Sequence, residues 1–273
     1  MKISGSVVLF HNKKEEVLKS IRSFLNTELD AKIYLLDNSF VDDLKELSAY
    51  DQRIVYTFNN INLGYGSAHN IAIKKSISDD VHYHLVLNPD VYFERGVLEK
   101  LISFMEKNKD IANVMPNILY PDGSTQYLCK LLPSPVDLIF RRFIPLKAWK
   151  EKRNNMYELR FTDYKNIMNV PSLSGCFMFL RIEALKKVGI FDENIFMYLE
   201  DVDLNRRLHQ KYKTVFYPAA SVYHAYGKES YKNKKLLMYH IRSAIYYFNK
   251  WGWFFDSERK FINRRTLNVI SNE

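Results

Sequence analysis

The chain has 273 residues, of which 47% are apolar and 26% charged, a composition that fits a globular protein and excludes a disordered or fibrous one. Its length suits one large domain, or a compact α/β core with a small C-terminal extension. The net charge of +9 invites nucleic acid, anionic lipid or a phosphate-bearing substrate, but no helix-turn-helix, zinc-finger or RNP-like segment accompanies it, which argues against nucleic acid as a partner.

Cys129 and Cys176 stand apart, fit neither a disulfide framework nor a zinc site, and point to a reduced, cytoplasmic protein. No apolar run approaches the roughly 20 residues that span a bilayer, and the apolar start reads as a strand rather than a signal peptide. The expectation is a soluble or peripheral protein. Its nineteen Tyr and eighteen Phe exceed what a minimal core needs, and such rings line sugar pockets, meet membrane interfaces or simply enlarge the core.

In chain order, Ile3 to Phe10 reads as a first strand and Lys14 to Leu25 as a helix with Val17, Leu18, Ile21, Phe24 and Leu25 on one face. Strands follow at Lys32 to Leu36, Ile54 to Phe58 and His82 to Leu87, with a helix from Ser67 to Ser76 between the last two. Gly96 to Lys107 forms a helix with Val97, Leu98, Leu101, Ile102 and Met105 inward, before a strand near Ala112 to Ile118 and a turn at Asp122-Gly123. Residues 130 to 168 lose periodicity, so loops and short helices are expected there, as an insertion facing an acceptor. Order returns with a strand from Ser174 through Leu180, a helix from Glu183 stopped by Gly189, and a helix opening at Glu200-Asp201. A strand from Thr214 to Tyr217 and a segment ending in His224 complete an alternating α/β core with a mostly parallel sheet.

Open α/β sheets bind ligands beyond the carboxyl ends of their strands, where turns leave polar groups uncovered, and Asn12, Asp37 and Asp90 all fall there. In Asn88-Pro89-Asp90 the carboxylate suits a Mg²⁺ or Mn²⁺ ion bridging a diphosphate, although a plain turn after a strand reads the same way. Gly64 and Gly66 open a helix whose first N–H groups could face phosphate, or they make a tight turn. Glu200, Asp201 and Asp203 crowd a helix start, where the dipole and capping favour them in any protein; the apolar approach Phe196-Met197-Tyr198-Leu199 adds that a carboxylate here could have the raised proton affinity of a useful base. His224 ends its strand as a packed residue or a metal ligand.

These pieces in order resemble the family 2 glycosyltransferases of GT-A fold, in particular the bacterial rhamnosyltransferase-like branch, over about residues 3 to 250. The resemblance rests on Val7-Val8-Leu9-Phe10-His11-Asn12, Asp37-Asn38-Ser39, Asn62-x-Gly64-x-Gly66-x-x-x-Asn70, Leu87-Asn88-Pro89-Asp90, Ser174-Gly175-Cys176-Phe177-Met178, and Gly189-x-Phe191-Asp192-Glu193 leading to Phe196-Met197-Tyr198-Leu199-Glu200-Asp201-Val202-Asp203. It implies that Asp37, with the backbone around Phe10 and Asn12, recognises the base or ribose of a nucleotide-sugar donor, and that Gly64, Gly66 and Asn70 lie near that nucleotide. Asp90 matches the last carboxylate of the family's Asp-x-Asp motif, whose first position is here Asn88, so Asp90 helped by His224 carries the metal. Asp201 matches the catalytic base, with Glu200 and Asp203 orienting it or the acceptor.

The implied activity is inverting transfer of a sugar, with dTDP-L-rhamnose the first candidate donor and a UDP-sugar the next, to a saccharide or lipid-linked saccharide in cell-surface polysaccharide synthesis. A catalytically inactive nucleotide-sugar or polysaccharide binding protein is the alternative. The resemblance sets a catalytic domain at 1–227, with a nucleotide-sugar-binding half (1–118) and an acceptor-binding half (119–227). From Lys228 onward ten basic residues against four acidic ones leave +6 in a helical extension, 228–273, that also carries Tyr239, Ile245, Tyr246, Tyr247, Phe248, Trp251, Trp253, Phe254 and Phe255. Two arrangements stay open for it: an anionic membrane surface on the inner face of the membrane, or packing on the core or in a homodimer.

Overall fold

A computed structural model describes residues 1–138, 146–225 and 234–272. The Tyr226-Gly227 boundary, the first residues of the extension and part of the expected insertion lie outside the described residues. The chain opens with β1 (Lys2–Leu9), α1 (Lys14–Leu25), β2 (Asp30–Asp37) and β3 (Ile54–Phe58), then α2 (Tyr65–Ser78), β4 (Tyr83–Leu87), β5 (Val91–Tyr92), α3 (Val97–Lys107) and β6 (Ile111–Leu119). A short β7 (Cys129–Lys130), α4 (Pro135–Leu138), α5 (Lys147–Tyr157), β8 (Met168–Asn169) and β9 (Ser172–Leu173) lead to β10 (Phe177–Arg181), α6 (Ile182–Val188), α7 (Glu200–His209) and β11 (Lys213–His224). The extension forms α8 (Lys234–Trp251) and α9 (Ser257–Asn272).

The main sheet runs in the order β3-β2-β1-β4-β10-β6-β11-β5. Its first four strands are parallel, as expected, but β10 is antiparallel to both neighbours and β5 is antiparallel to β11, so the sheet is mixed beyond β4. The halves expected at 1–118 and 119–227 therefore share one sheet, with β10 inserted between β4 and β6. The segments expected at Thr214 to Tyr217 and up to His224 are one strand, whose pairing with β6 slips between Tyr217 and Ser221, around Pro218, which has no N–H for a ladder.

Both faces of the parallel strands are covered, which is why they read as near-continuous apolar runs. On one face α1 and α3 bury the residues expected of them, and Phe24 lies so close to β1 that a Cβ on Gly5 would come within 2.9 Å of its ring. Side chains alternate across the pleat: Leu85 and Leu87 join this cluster, whereas Val86 joins Ile73, Met178, Leu204 and Leu208 beneath α2, α6 and α7.

A buried polar chain runs beneath β1. The His84 ring nitrogens bond Ser4 Oγ and Ser6 Oγ, each at 2.8 Å, and Ser6 Oγ also bonds His69 Nδ1 at 2.7 Å. Burial disfavours the charged ring, lowering His84 to about 3 and His209 to about 4, and pushing His69 well below its ordinary value. Because these folded-state values lie below the unfolded one, the unfolded chain takes up protons first as pH falls. The stability contributed by the neutral rings is complete above about pH 6.5 and is lost from there down towards pH 4 and 3. Denaturant melts should be level near neutrality and weaken by up to about 1.4 kcal/mol per pH unit per ring below about pH 6. A pH-independent midpoint between those values would contradict this.

Candidate active site

The register brings the candidate residues to one edge. Leu9 pairs with Asp37, Val7 with Leu87, and Leu87 with Phe177 across the antiparallel junction, so the turn after β4 faces the start of β10. Asn88 N–H donates to the Cys176 carbonyl at 3.0 Å, and the β5–β11 pairing sets His224 opposite Val91. Asp90 Oδ1 and His224 Nε2 thereby lie 3.3 Å apart. Strand pairing, not sequence proximity, assembles this pair.

Gln126, which sequence reasoning missed, orients His224. Its Nε2 donates to the His224 carbonyl at 2.8 Å, which fixes the direction of the amide, and its Oε1 then meets His224 Nδ1 at 3.0 Å. Nδ1 therefore keeps its proton, and Nε2, which faces Asp90, is the nitrogen that would give up its own proton to a metal. Burial works against a charged ring here, but the adjoining Cys176 sulfur and the Asp90 carboxylate outweigh it and push His224 up to about 10. Among the described residues no group of three or more His, Cys, Asp or Glu is arranged around a metal. Asp90 and His224 could instead hold Mg²⁺ or Mn²⁺ as a two-donor site, with phosphate oxygens and water completing the shell.

The carboxylates of α7 meet the same edge through Gly175, the residue before Cys176. Asp201 Oδ2 accepts the Gly175 N–H at 2.8 Å and Oδ1 accepts the Val202 N–H at 2.8 Å. Glu200 is buried, and its Oε2 has no partner. Burial, then the charge of Asp201, holds the Glu200 carboxyl well above its usual range; burial also raises Asp201, against the Gly175 bond and the charge of Lys130. The two backbone donors make Asp201 the member of the pair that ionises, while Glu200 keeps its proton. Tyr65, also missed, ties the two turns together, its hydroxyl 2.7 Å from the Gly175 carbonyl and 3.0 Å from Asn88 Oδ1. Its place between Gly64 and Gly66 was the only local signal.

Several other expected site residues are engaged by the protein itself. Asp37 is fully buried, its oxygens taking the Ser39 N–H at 2.9 Å and the Tyr56 hydroxyl at 2.7 Å, so it shapes the turn after β2 and offers no open face. Asn70 bonds the Phe191 backbone through both amide atoms and Glu193 through its Nδ2, latching the segment before α7 instead of facing a nucleotide. The N–H groups of Gly64 and Tyr65 go to Asn62 Oδ1 and the Phe196 carbonyl, not to an open phosphate site. Gly64, at φ +85°, passes so close to that carbonyl that a Cβ would sit 2.2 Å from it, and a Cβ on Gly66 would meet Phe191 at 2.9 Å. Asp203 is buried against Arg207, Lys250 and Trp251, so it anchors α8 and orients neither base nor acceptor. Asn12 Oδ1 closes the turn after β1 on the Phe10 N–H at 2.7 Å, leaving the Phe10 ring half-exposed beside Phe40.

The sequence model of glycosyl transferase family 2 matches residues 6–189. The chain belongs to this family. A family 2 glycosyltransferase, it is 29% identical over 222 residues to the N-acetylglucosaminyl-diphospho-decaprenol L-rhamnosyltransferase of Mycobacterium tuberculosis, covering 73% of this chain and 68% of that protein. It is 23% identical to the rhamnosyltransferase WbbL of Escherichia coli K12 over 97% of each chain. Among solved structures, GalNAc-T7 with UDP, GalNAc and Mn²⁺ superposes with a TM-score of 0.63 at 16% identity, over 82% of this chain and 43% of that one. That likeness bears out the GT-A fold of the enzyme, and the two relatives bear out its rhamnosyltransferase-like branch.

Proposed function

We propose that this glycosyltransferase is inverting and metal-dependent, and moves a sugar from a nucleoside diphosphate to a saccharide or lipid-linked saccharide in cell-surface polysaccharide synthesis. The observation that carries the reading is Asp201, held by the Gly175 and Val202 N–H groups beside the buried Glu200 and linked through Tyr65 and Gly175 to the strand end that pairs Asp90 with His224. Asp201 takes the proton of an acceptor hydroxyl as its oxygen bonds to the anomeric carbon, and the bond from that carbon to the diphosphate oxygen breaks with its electron pair leaving on the diphosphate. A single displacement inverts the anomeric centre. Asp90 and His224 would hold Mg²⁺ or Mn²⁺, which would supply positive charge against the leaving diphosphate. Phe10, Asn12 and the Asp37 turn wall the nucleotide end. The rhamnosyltransferase relatives favour dTDP-L-rhamnose as donor, a UDP-sugar next, and the name of the mycobacterial one favours a lipid-linked acceptor. An inactive binding protein would have no use for an ionised carboxylate beside a neutral one.

Calorimetry with nucleoside diphosphates and Mn²⁺ tests the reading. dTDP or UDP should bind more tightly than GDP, and Asp90→Ala should nearly abolish the metal-dependent part. His224→Ala should weaken it, and Gln126→Leu should do so by about tenfold, the usual loss when a ligand's orienting partner is removed. Preference for GDP overturns the donor class; unchanged affinity in Asp90→Ala and His224→Ala removes both from the site.

A further inference from the structure

Among the described residues no helix is long and apolar enough to cross a membrane. Most of the large rings of the extension face inward: Tyr247 and Phe248 are fully buried against Leu199 and Val202, with Trp251 and Trp253 packed beside them. The rings left outside are different ones. Phe254 and Phe255, in the turn between α8 and α9, are 57% and 95% exposed, and Phe261 on α9 is 66% exposed. At 3.6 residues per turn Phe261 lies in the middle of the outer arc of α9, with exposed Lys260 and Arg264 on one side and exposed Arg265 on the other.

We propose that this outer face of α9, with the Phe254–Phe255 turn, is a docking surface for an anionic lipid bilayer. Charge complementarity carries the choice of partner. The acidic residues of this stretch are paired: Asp256 is buried against Arg206, and the part-exposed Glu258 is bonded by Arg206 and by Gln210 Nε2 at 2.6 Å. What remains outward is cationic and aromatic, the combination that settles at the boundary between anionic headgroups and acyl chains. A second copy of the chain is a poorer occupant, because a two-fold contact over this face would set Lys260, Arg264 and Arg265 against their own counterparts. The inference stands apart from the assignment of donor and acceptor, although it would bring the site to where a lipid-linked acceptor lies.

Co-sedimentation with vesicles of phosphatidylglycerol and phosphatidylcholine in equal parts, at low and high salt, tests it without donor or acceptor present. The wild-type chain should bind these vesicles in a salt-sensitive way and ignore phosphatidylcholine alone. Phe254→Ser with Phe255→Ser should weaken binding by about tenfold or more, from the apolar area withdrawn from the bilayer. Lys260→Gln, Arg264→Gln and Arg265→Gln together should weaken it by about 100-fold, from roughly fivefold per charge. Both variants should melt as the wild type does, since these side chains support no core contact. Absence of salt-sensitive binding, or wild-type binding by both variants, overturns the proposal. So does a lipid-free dimer that the Phe254→Ser, Phe255→Ser variant abolishes, because the face would then join two copies. Either failure leaves the transfer reaction standing.

Discussion

Asp201→Asn should lower kcat by about 10² to 10⁴, the usual worth of a positioned general base, while donor affinity survives. Asn keeps the shape of the side chain, and its oxygen can still accept the Gly175 N–H now 2.8 Å from Asp201 Oδ2, so the loop before β10 should hold its place. A residue that only caps α7 would behave in the opposite way: its loss would cost about 1 kcal/mol of stability and leave turnover of the folded fraction nearly normal. Melting temperature, donor affinity and transfer rate measured on one preparation separate the two. A variant that melts early yet transfers sugar at the wild-type rate would pass the role to Glu200. Asp203 is no longer a substitute, since its oxygens are bound to Arg207, Lys250 and Trp251.

Arg206→Met should produce the largest loss of stability. Arg206 is among the largest fully buried side chains; it makes a two-pronged pair with Asp256 at 2.8 and 2.9 Å, a bond to Glu258 at 2.7 Å, and stacks on Trp251 at 4.1 Å. Removing it leaves the buried Asp256 with only Arg259, by a backbone N–H at 2.8 Å and a guanidinium at 3.9 Å, and breaking such a buried pair typically costs about 3–5 kcal/mol, or roughly 10 °C in melting temperature for a chain of this size. Replacing both partners, Arg206→Met with Asp256→Leu, should recover much of that loss, because two apolar groups incur no desolvation. Activity should fall with Arg206→Met as well. The undocked α8 would release Ser243 from the Met197 carbonyl and Tyr246 and Lys250 from Asp192, contacts that hold the approach to Asp201. If the double variant is no more stable than the single one, the pair is not what docks the extension.

Patterns local in sequence were legible because they are set by local periodicity and backbone chemistry. The apolar faces of α1 and α3, the stop at Gly189 and the opening of α7 at Glu200 all follow from the 3.6-residue repeat and from end effects. Asp90, Asp201 and His224 were legible as polar residues at element ends. What could not be read was whether a polar residue faces a ligand or another part of the chain. Asn70 and Phe191 are 121 positions apart, and nothing near either one signals the other. Gln126 and His224 are separated by 98, and only the sheet order brings them together. The aromatic extension failed the same way, since composition cannot divide inward Tyr247 and Phe248 from outward Phe254 and Phe255.

The closeness of Gly64 and Gly66 to residues 191–200 has a consequence for engineering. Backbone meets backbone there, Tyr65 N–H to the Phe196 carbonyl at 2.9 Å, and the Phe191 and Phe196 side chains close on the two glycines, which leaves no room to absorb a change of shape. A chimera that takes its donor end from one relative and its base from another must therefore transplant both sides of this seam together.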